Sequence, residues 1–285
     1  MLDFNTTKGL IQALKNPAIN VRGQAYGILK AKGTSVLNEV SSLIKSNNPY
    51  HQARAIWLLA ELGESGAQQA AKLLDDPNEI TRATALRALR THKKINTNLL
   101  EKLSADKSPF VRRETILALQ EIPFKDAQPY LKSLLQSTPE NDLWYLNGIT
   151  AAWSDHKNEA YQTALLNFNT TKAEPEQWSD VMSSLAFNLH PEIAVKDLSS
   201  RVNSEKLPMK KRDQALTALA FINTPEALNA MLKISNSKND SIAERARYWI
   251  GFRQSNDWNK ITDWSKIKID TEQERITAAM QVKKN

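Results

Sequence analysis

The chain resembles itself when it is shifted by 30 residues. Leu14, Ile44 and Leu74 fall in one set, and Arg22, Arg82 and Arg112 in another. Ala25, Ala55 and Ala85 form a third, and Leu29, Leu59, Leu89 and Leu119 a fourth, with Gly33 and Gly63 keeping the same step just after. Self-similarity at this period marks an array of units that bury their apolar faces only against their neighbours. Each period reads as two short helices with a proline-containing turn between them, because proline cannot continue a helix and restrains the residue before it. The expected fold is therefore all-α, an α-α superhelix of about seven helical pairs, irregular in the middle and at a C-terminal cap. Regular repeats are expected over 1–153, and degenerate repeats with the cap over 154–285, continuous with the first part.

In chain order, a first helix is expected over 4–14, capped by Asn5, Thr6 or Thr7, and broken at Asn16-Pro17. A second runs over 20–32 with Val21, Ala25, Ile28 and Leu29 on one face, and Gly33 ends it. The plan recurs with turns at Asn47-Asn48-Pro49, Asp75-Asp76-Pro77-Asn78, Asp106-Lys107-Ser108-Pro109 and Ser137-Thr138-Pro139-Glu140. From Ser154 to Pro208 the register is lost, with helices expected at 157–168, 175–188 and 191–202 and loops at 169–172 and 205–208. Helices follow over 211–222, 226–234 and 242–252. The tail carries Trp249, Trp258 and Trp264, read as aromatic anchors of the cap, and then a last helix over 272–282.

Cysteine is absent, which removes disulfides, thiolate zinc sites, thiol nucleophiles and c-type haem attachment from this chain. No run approaches the 18 apolar residues of a membrane span, and Met1 to Leu14 hold no long apolar core of a signal peptide. The formal charge of +7 over 285 residues is modest, and its basic residues are interleaved with acids rather than gathered in a stripe. His51, His92, His156 and His190 lie far apart without ligand spacing, so no metal is expected. Neither a phosphate-cradling glycine loop nor a G-x-S-x-G nucleophile motif occurs. No catalytic residue and no cofactor is assigned.

The turn-helix segments Asn16-Pro17-Ala18-Ile19-Asn20-Val21-Arg22, Asp75-Asp76-Pro77-Asn78-Glu79-Ile80-Thr81-Arg82 and Asp106-Lys107-Ser108-Pro109-Phe110-Val111-Arg112 resemble HEAT repeats. That pattern is a D-x-x-P turn, then V-R, then an A-x-x-A/L helix. The resemblance covers 10–153 well and 210–252 loosely. The second repeat departs from it, with Gln52 at the arginine position and Arg54 two residues later. A narrower resemblance rests on Glu244 to Arg253 followed by Asn256-Asp257-Trp258. This stretch is similar to the HEAT segment of secreted bacterial dehydrogenase-like proteins that also carry a cytochrome domain. Their redox chemistry lies outside that segment, and the absence of C-x-x-C-H here means that no haem role transfers. The location implied is periplasmic or extracytoplasmic if this likeness holds, and cytoplasmic otherwise.

Two sets of side chains stand out. Asp75, Asp76 and Asp106 lie in turns while Arg22, Arg82 and Arg112 open the second helix of a pair. Arginine pairs bidentately with carboxylates, so an aspartate of one turn can accept from the arginine of an adjacent repeat. Phosphate binding by the same arginines is the alternative. The 100° step of a helix turns Arg54, Trp57, Glu61, Arg87, Glu114, Leu117, Trp144 and Asn147 away from the core-facing positions. In HEAT-like solenoids the second helices line the concave side, so the resemblance implies that Arg54, Trp57, Arg87, Leu117, Trp144 and Asn147 face a protein partner or neighbouring domain. Trp and Arg are enriched at binding hot spots; the competing reading packs Trp57 against a neighbouring helix. The expectation is a monomeric, non-catalytic interaction scaffold, and the narrower resemblance implies a module of a larger redox protein. The alternative is a nucleic-acid-binding protein similar to the DNA alkylation-repair glycosylases of this fold.

Overall fold

A computed structural model describes residues 3–95, 97–139, 142–167, 174–237 and 240–267. Among these residues every regular element is a helix, and the chain divides into two compact units, Met1–Pro139 and Glu140–Asn285. In the first unit the helices are α1 (Thr7–Lys15), α2 (Ile19–Ala31), α3 (Leu37–Ser42), α4 (Pro49–Glu61), α5 (Gly63–Lys72), α6 (Glu79–Thr91), α7 (Thr97–Ser104), α8 (Pro109–Leu119) and α9 (Phe124–Gln136). The odd-numbered helices are the first members of each pair, and the even-numbered ones, the B helices, follow the proline turns. Side-chain caps recur with the period: Asn48 accepts from the Tyr50 amide at 2.9 Å and Asn78 from the Ile80 amide at 2.8 Å. Thr6 caps α1 by accepting from the Gly9 amide at 3.1 Å.

The repeating residues form the core. Ala25, Ala55 and Ala85 are fully buried, as are Leu29, Leu59 and Leu89. Alanine at the contact lets one B helix approach the next, and α4 packs on α6 and α6 on α8. Glycine acts at two places. Gly63 has φ +72° and turns the chain directly from α4 into α5. A Cβ on buried Gly66 would lie 2.3 Å from the Leu59 carbonyl oxygen, so α5 sits against the α4 backbone only because that atom is missing.

The turns are held by guanidinium groups. Arg82 donates to both carboxylate oxygens of Asp106 in the next turn, at 2.8 and 2.7 Å, and to the Asp76 carbonyl of its own turn at 2.8 Å. Arg112 likewise reaches the Asp106 carbonyl at 2.7 Å and the Ser137 carbonyl of the following turn at 2.6 Å. In the second repeat the work is divided. Gln52 donates to its own turn at the Ser46 carbonyl, 2.7 Å away, while Arg54 reaches back to the Leu14 carbonyl at 2.9 Å. Arg22 donates to the Pro17 carbonyl. These bonds satisfy carbonyls that the end of a helix leaves without an intrahelical donor. Asp75 departs from the expected arginine pairing: it is exposed and pairs with Lys102, because Asp76 and not Asp75 occupies the place equivalent to Asp106. The Asp76 carboxylate accepts from the Asn78 amide at 2.8 Å, and Arg82 takes its carbonyl instead.

The second unit contains α10 (Leu143–Ala152), α11 (Lys157–Asn167), α12 (Asp180–Leu189), α13 (Val195–Asn203), α14 (Met209–Ala220), α15 (Pro225–Ser235) and α16 (Asp240–Gln254). The helix expected over 175–188 is shorter, because a 3₁₀ turn at Pro175–Gln177 precedes an extended Trp178 and Ser179 caps α12. The helix expected over 191–202 starts later for a similar reason, a 3₁₀ turn at Glu192–Ala194. Trp258 is fully buried and donates to the Ile222 carbonyl at 3.0 Å, and Trp264 donates to the Trp258 carbonyl at 2.9 Å. The loop expected at 169–172 and the helix expected over 272–282 lie outside the described residues.

Gly66→Ala should destabilise the chain by about 1–3 kcal/mol because backbone must move to admit the methyl. Gly23→Ala, in the α2 interior with open space around it, should stabilise by about 0.5–1 kcal/mol; chemical denaturation of the two variants checks both signs. Burial pushes the Asp106 carboxyl up, but hydrogen bonds from Arg82 and the Ser108 amide outweigh it and hold it below the usual carboxylate range. A depressed native pKa contributes stability that is present above the unfolded value, about 3.9, and is lost as pH falls through the native value. Acid melts should therefore show wild-type stability falling below about pH 4, and a shallower fall in Asp106→Asn.

Candidate functional site

The B-helix face of the first unit is built by the same period. Positions 27, 57, 87 and 117 are occupied by Gly27, Trp57, Arg87 and Leu117. Trp57 is half-buried against the core, with its ring edge-on to His92 at a centroid distance of 6.0 Å. Arg87 is exposed and pairs with Glu114 of the next B helix, donating through Nε to Oε2 at 3.2 Å. Glu114, expected to point away from the core, is instead buried, and Arg87 supplies the charge that allows it. Leu117 is half-buried.

One turn further along, Glu61 joins three repeats. It accepts from the Tyr26 hydroxyl at 2.7 Å, pairs with Lys30, and has His92 Nε2 at 3.3 Å. Burial raises the Glu61 carboxyl, but Lys30, Tyr26 and His92 together bring it below its ordinary range. Burial first, then the bond to Glu61, lifts the Tyr26 phenol well above its usual value.

Beside this network, between α2 and α4, lies an open pocket of about 450 Å³ lined by Arg22, Tyr26, Tyr50, Ala53, Arg54 and Trp57. Tyr50 is 72% exposed. Among the described residues neither Arg22 nor Arg54 has a carboxylate within ion-pair distance; each is bonded only to backbone carbonyls of the turn at 14–17. Burial lowers the Arg54 pKa, and the Arg22 charge lowers it further, so two like charges face the same space. The surroundings are basic as well. Residues 1–139 hold 19 Lys and Arg against 12 Asp and Glu, and residues 140–285 hold 19 against 19, so the whole +7 belongs to the first unit.

Two of the sequence candidates lie in the second unit. Trp144 is 76% exposed in the first turn of α10, beside exposed Leu143. Asn147 is exposed, and its side-chain oxygen accepts from Asn188 at 3.4 Å. That unit also carries a row of rings. His190 stacks on Phe221 at 5.3 Å, Phe221 meets Trp249 at 5.5 Å, and Trp249 meets Tyr248 and Phe252 at 5.5 and 5.9 Å. The Arg253 guanidinium lies 4.9 Å over the Phe221 ring. His190 has φ +48°, and burial followed by the charges of Lys157 and Arg253 lowers its pKa.

Sequence reasoning singles out Trp249 as an anchor of the cap but not Tyr26, Tyr50 or the other rings of the row, although signals for them exist. Tyr50, Ile80 and Phe110 recur at the 30-residue step, and Tyr50 and Ile80 are exposed there. His190, Phe221 and Phe252 recur at a step of 31, which begins inside the irregular stretch 154–208 and runs through the helices expected over 211–222 and 242–252. Among the described residues no three His, Asp or Glu side chains gather as a metal site, and no helix is long and apolar enough to cross a membrane.

The HEAT-repeat family matches residues 7–90 and again 67–144. No curated protein matches the chain. Among solved structures, YibA of Escherichia coli aligns over 90% of this chain and 93% of its own, at 15% identity and a TM-score of 0.50. An engineered protein aligns over 96% and 87%, at 16% identity and a TM-score of 0.42. Human deoxyhypusine hydroxylase in complex with glycerol aligns over 88% and 85%, at 13% identity and a TM-score of 0.26, and carries no argument about chemistry here. The stacked helical pairs, the arginines at the start of the B helices and the family matches agree: residues 7–144 of this chain are HEAT repeats.

Proposed function

We propose that this chain is an interaction scaffold that engages a protein partner through the B-helix face of residues 1–139, centred on the pocket between α2 and α4. The observation that supports it is the composition of that pocket: two arginines without carboxylates, two tyrosines and a tryptophan around one open space. Arg, Tyr and Trp are the side chains most enriched at binding hot spots, and stacked repeats present extended surfaces. A finer reading makes the partner a neighbouring domain of a redox protein. It rests on the Glu244 to Arg253 segment, which forms much of α16 and places Tyr248, Trp249 and Phe252 in the ring row.

The nucleic-acid reading draws on the +7 charge of the first unit. Weighing against it, Lys30 and Arg87 on the B-helix face are already paired with Glu61 and Glu114, so a phosphate backbone running along the face would have to break those pairs. A gel shift with steep salt dependence would favour nucleic acid over protein.

The test is affinity capture with the full chain and three variants. Tyr50→Ala and Trp144→Ala, at exposed positions, should alter stability by no more than about 0.5 kcal/mol, whereas Trp57→Ala should cost about 2 kcal/mol through lost packing. Tyr50→Ala should release a partner that the wild type retains. Equal retention by Tyr50→Ala and wild type would contradict this reading.

A further inference from the structure

The repeat period shows where a carboxylate is missing. Arg82 finds its acid 24 residues ahead, at Asp106. Arg22 stands 60 residues before Arg82, and the residue 24 ahead of it is Ser46. Elsewhere in the first unit Lys30, Arg87, Arg90, Lys94 and Lys102 each meet a Glu or Asp. Arg22 instead shares the pocket with Arg54, and each commits one terminal nitrogen to carbonyls of the turn at 14–17. A guanidinium carries five N–H donors, so these bonds leave both forks incompletely used.

We propose that the pocket between α2 and α4 recognises a carboxylate on an acidic peptide segment, held between Arg22 and Arg54, with an adjacent apolar side chain on Trp57 and Tyr50. The proposal rests on the interaction reading above and names the partner's chemistry. Arginine forks match carboxylate geometry, and the equivalent Arg82 takes a carboxylate within this same chain. The burial and the Arg22 charge that lower the Arg54 pKa are both offset by the opposite charge of a bound anion. The aromatic walls suit an apolar neighbour of the acid, because flat rings give contact area at low entropy cost. A lone local anion fits the charge pattern better than a polyphosphate, since Lys30 and Arg87 farther along the face are already paired with Glu61 and Glu114.

The probes are N-acetyl-glutamyl-phenylalaninamide, its glutaminyl counterpart, inorganic phosphate and a short single-stranded oligothymidylate. Each is titrated into the nitrogen-15-labelled full chain while the Trp57 indole N–H resonance is followed, assigned with Trp57→Phe. The glutamyl peptide should shift that resonance with a millimolar dissociation constant, and the glutaminyl peptide should bind at least about tenfold more weakly. Arg22→Gln and Arg54→Gln should each lose at least about tenfold, Arg54→Lys should fall between the wild type and Arg54→Gln because it keeps the charge without the fork, and Arg113→Gln should match the wild type. Arg22→Gln can still close its turn, because Gln52 at the equivalent position donates to a carbonyl of its own turn, that of Ser46. Equal binding of the two peptides, indifference to both Gln variants, or tighter binding of phosphate or oligothymidylate at the same resonance would overturn the proposal. If the glutamyl peptide fails while Tyr50→Ala still releases a captured partner, the carboxylate site falls and the interaction scaffold stands.

Discussion

Every helix ends in carbonyls that its own backbone cannot satisfy, and in the first unit arginine side chains supply the missing donors. Arg82 and Arg112 each bind the turn before their own helix and the turn of the next repeat. One planar group thus sets the spacing of two turns, which alanine and leucine packing alone would leave free to slide. Hydrogen bonds from charged donors contribute about 1.5–3 kcal/mol each, several times the value of an exposed ion pair. Arg82 and Asp106 are nearly excluded from solvent, so the pairing is specific as well as strong: removing either partner leaves a charge without compensation.

The same device explains the pocket. The second repeat has Gln52 at the arginine position, and glutamine can close its own turn but cannot reach across to the next. Arg54 compensates by reaching back to the preceding turn, where Arg22 already sits. Two guanidiniums therefore collect at one junction with no acid between them. An irregularity in the repeat becomes a concentration of charge, and the neighbouring tyrosines and tryptophan make it a surface with both apolar and ionic character. In the later repeats the acids at 106 and 114 are present, and the corresponding arginines are occupied within the chain.

The fold was largely legible because the 30-residue step repeats the very residues that are buried, Ala25 to Ala85 and Leu29 to Leu119. Helical angles alone could not place Glu114, because they carry no information about the partner that makes burial of a carboxylate tolerable. Helical angles place Arg54 facing outward for the same reason: they do not show that its length lets it fold back onto a carbonyl 40 residues earlier. Tyr26 and Tyr50 escaped notice because a single aromatic near a helix end looks the same whether it packs or projects. In the second unit, 3₁₀ turns at Pro175–Gln177 and Glu192–Ala194 shift the helix starts and hide the step of 31 that aligns His190, Phe221 and Phe252.

The claim that arginine-to-turn bonds lock adjacent repeats is tested most directly by a double-mutant cycle on unfolding free energy with Arg82→Ala, Asp106→Ala and the double variant. A coupling of about 2 kcal/mol, the double variant being far less damaged than the two single losses added, is the result expected. A coupling of about 0.3 kcal/mol or less would mean that the two residues act independently, and that helix packing alone holds the repeats in register.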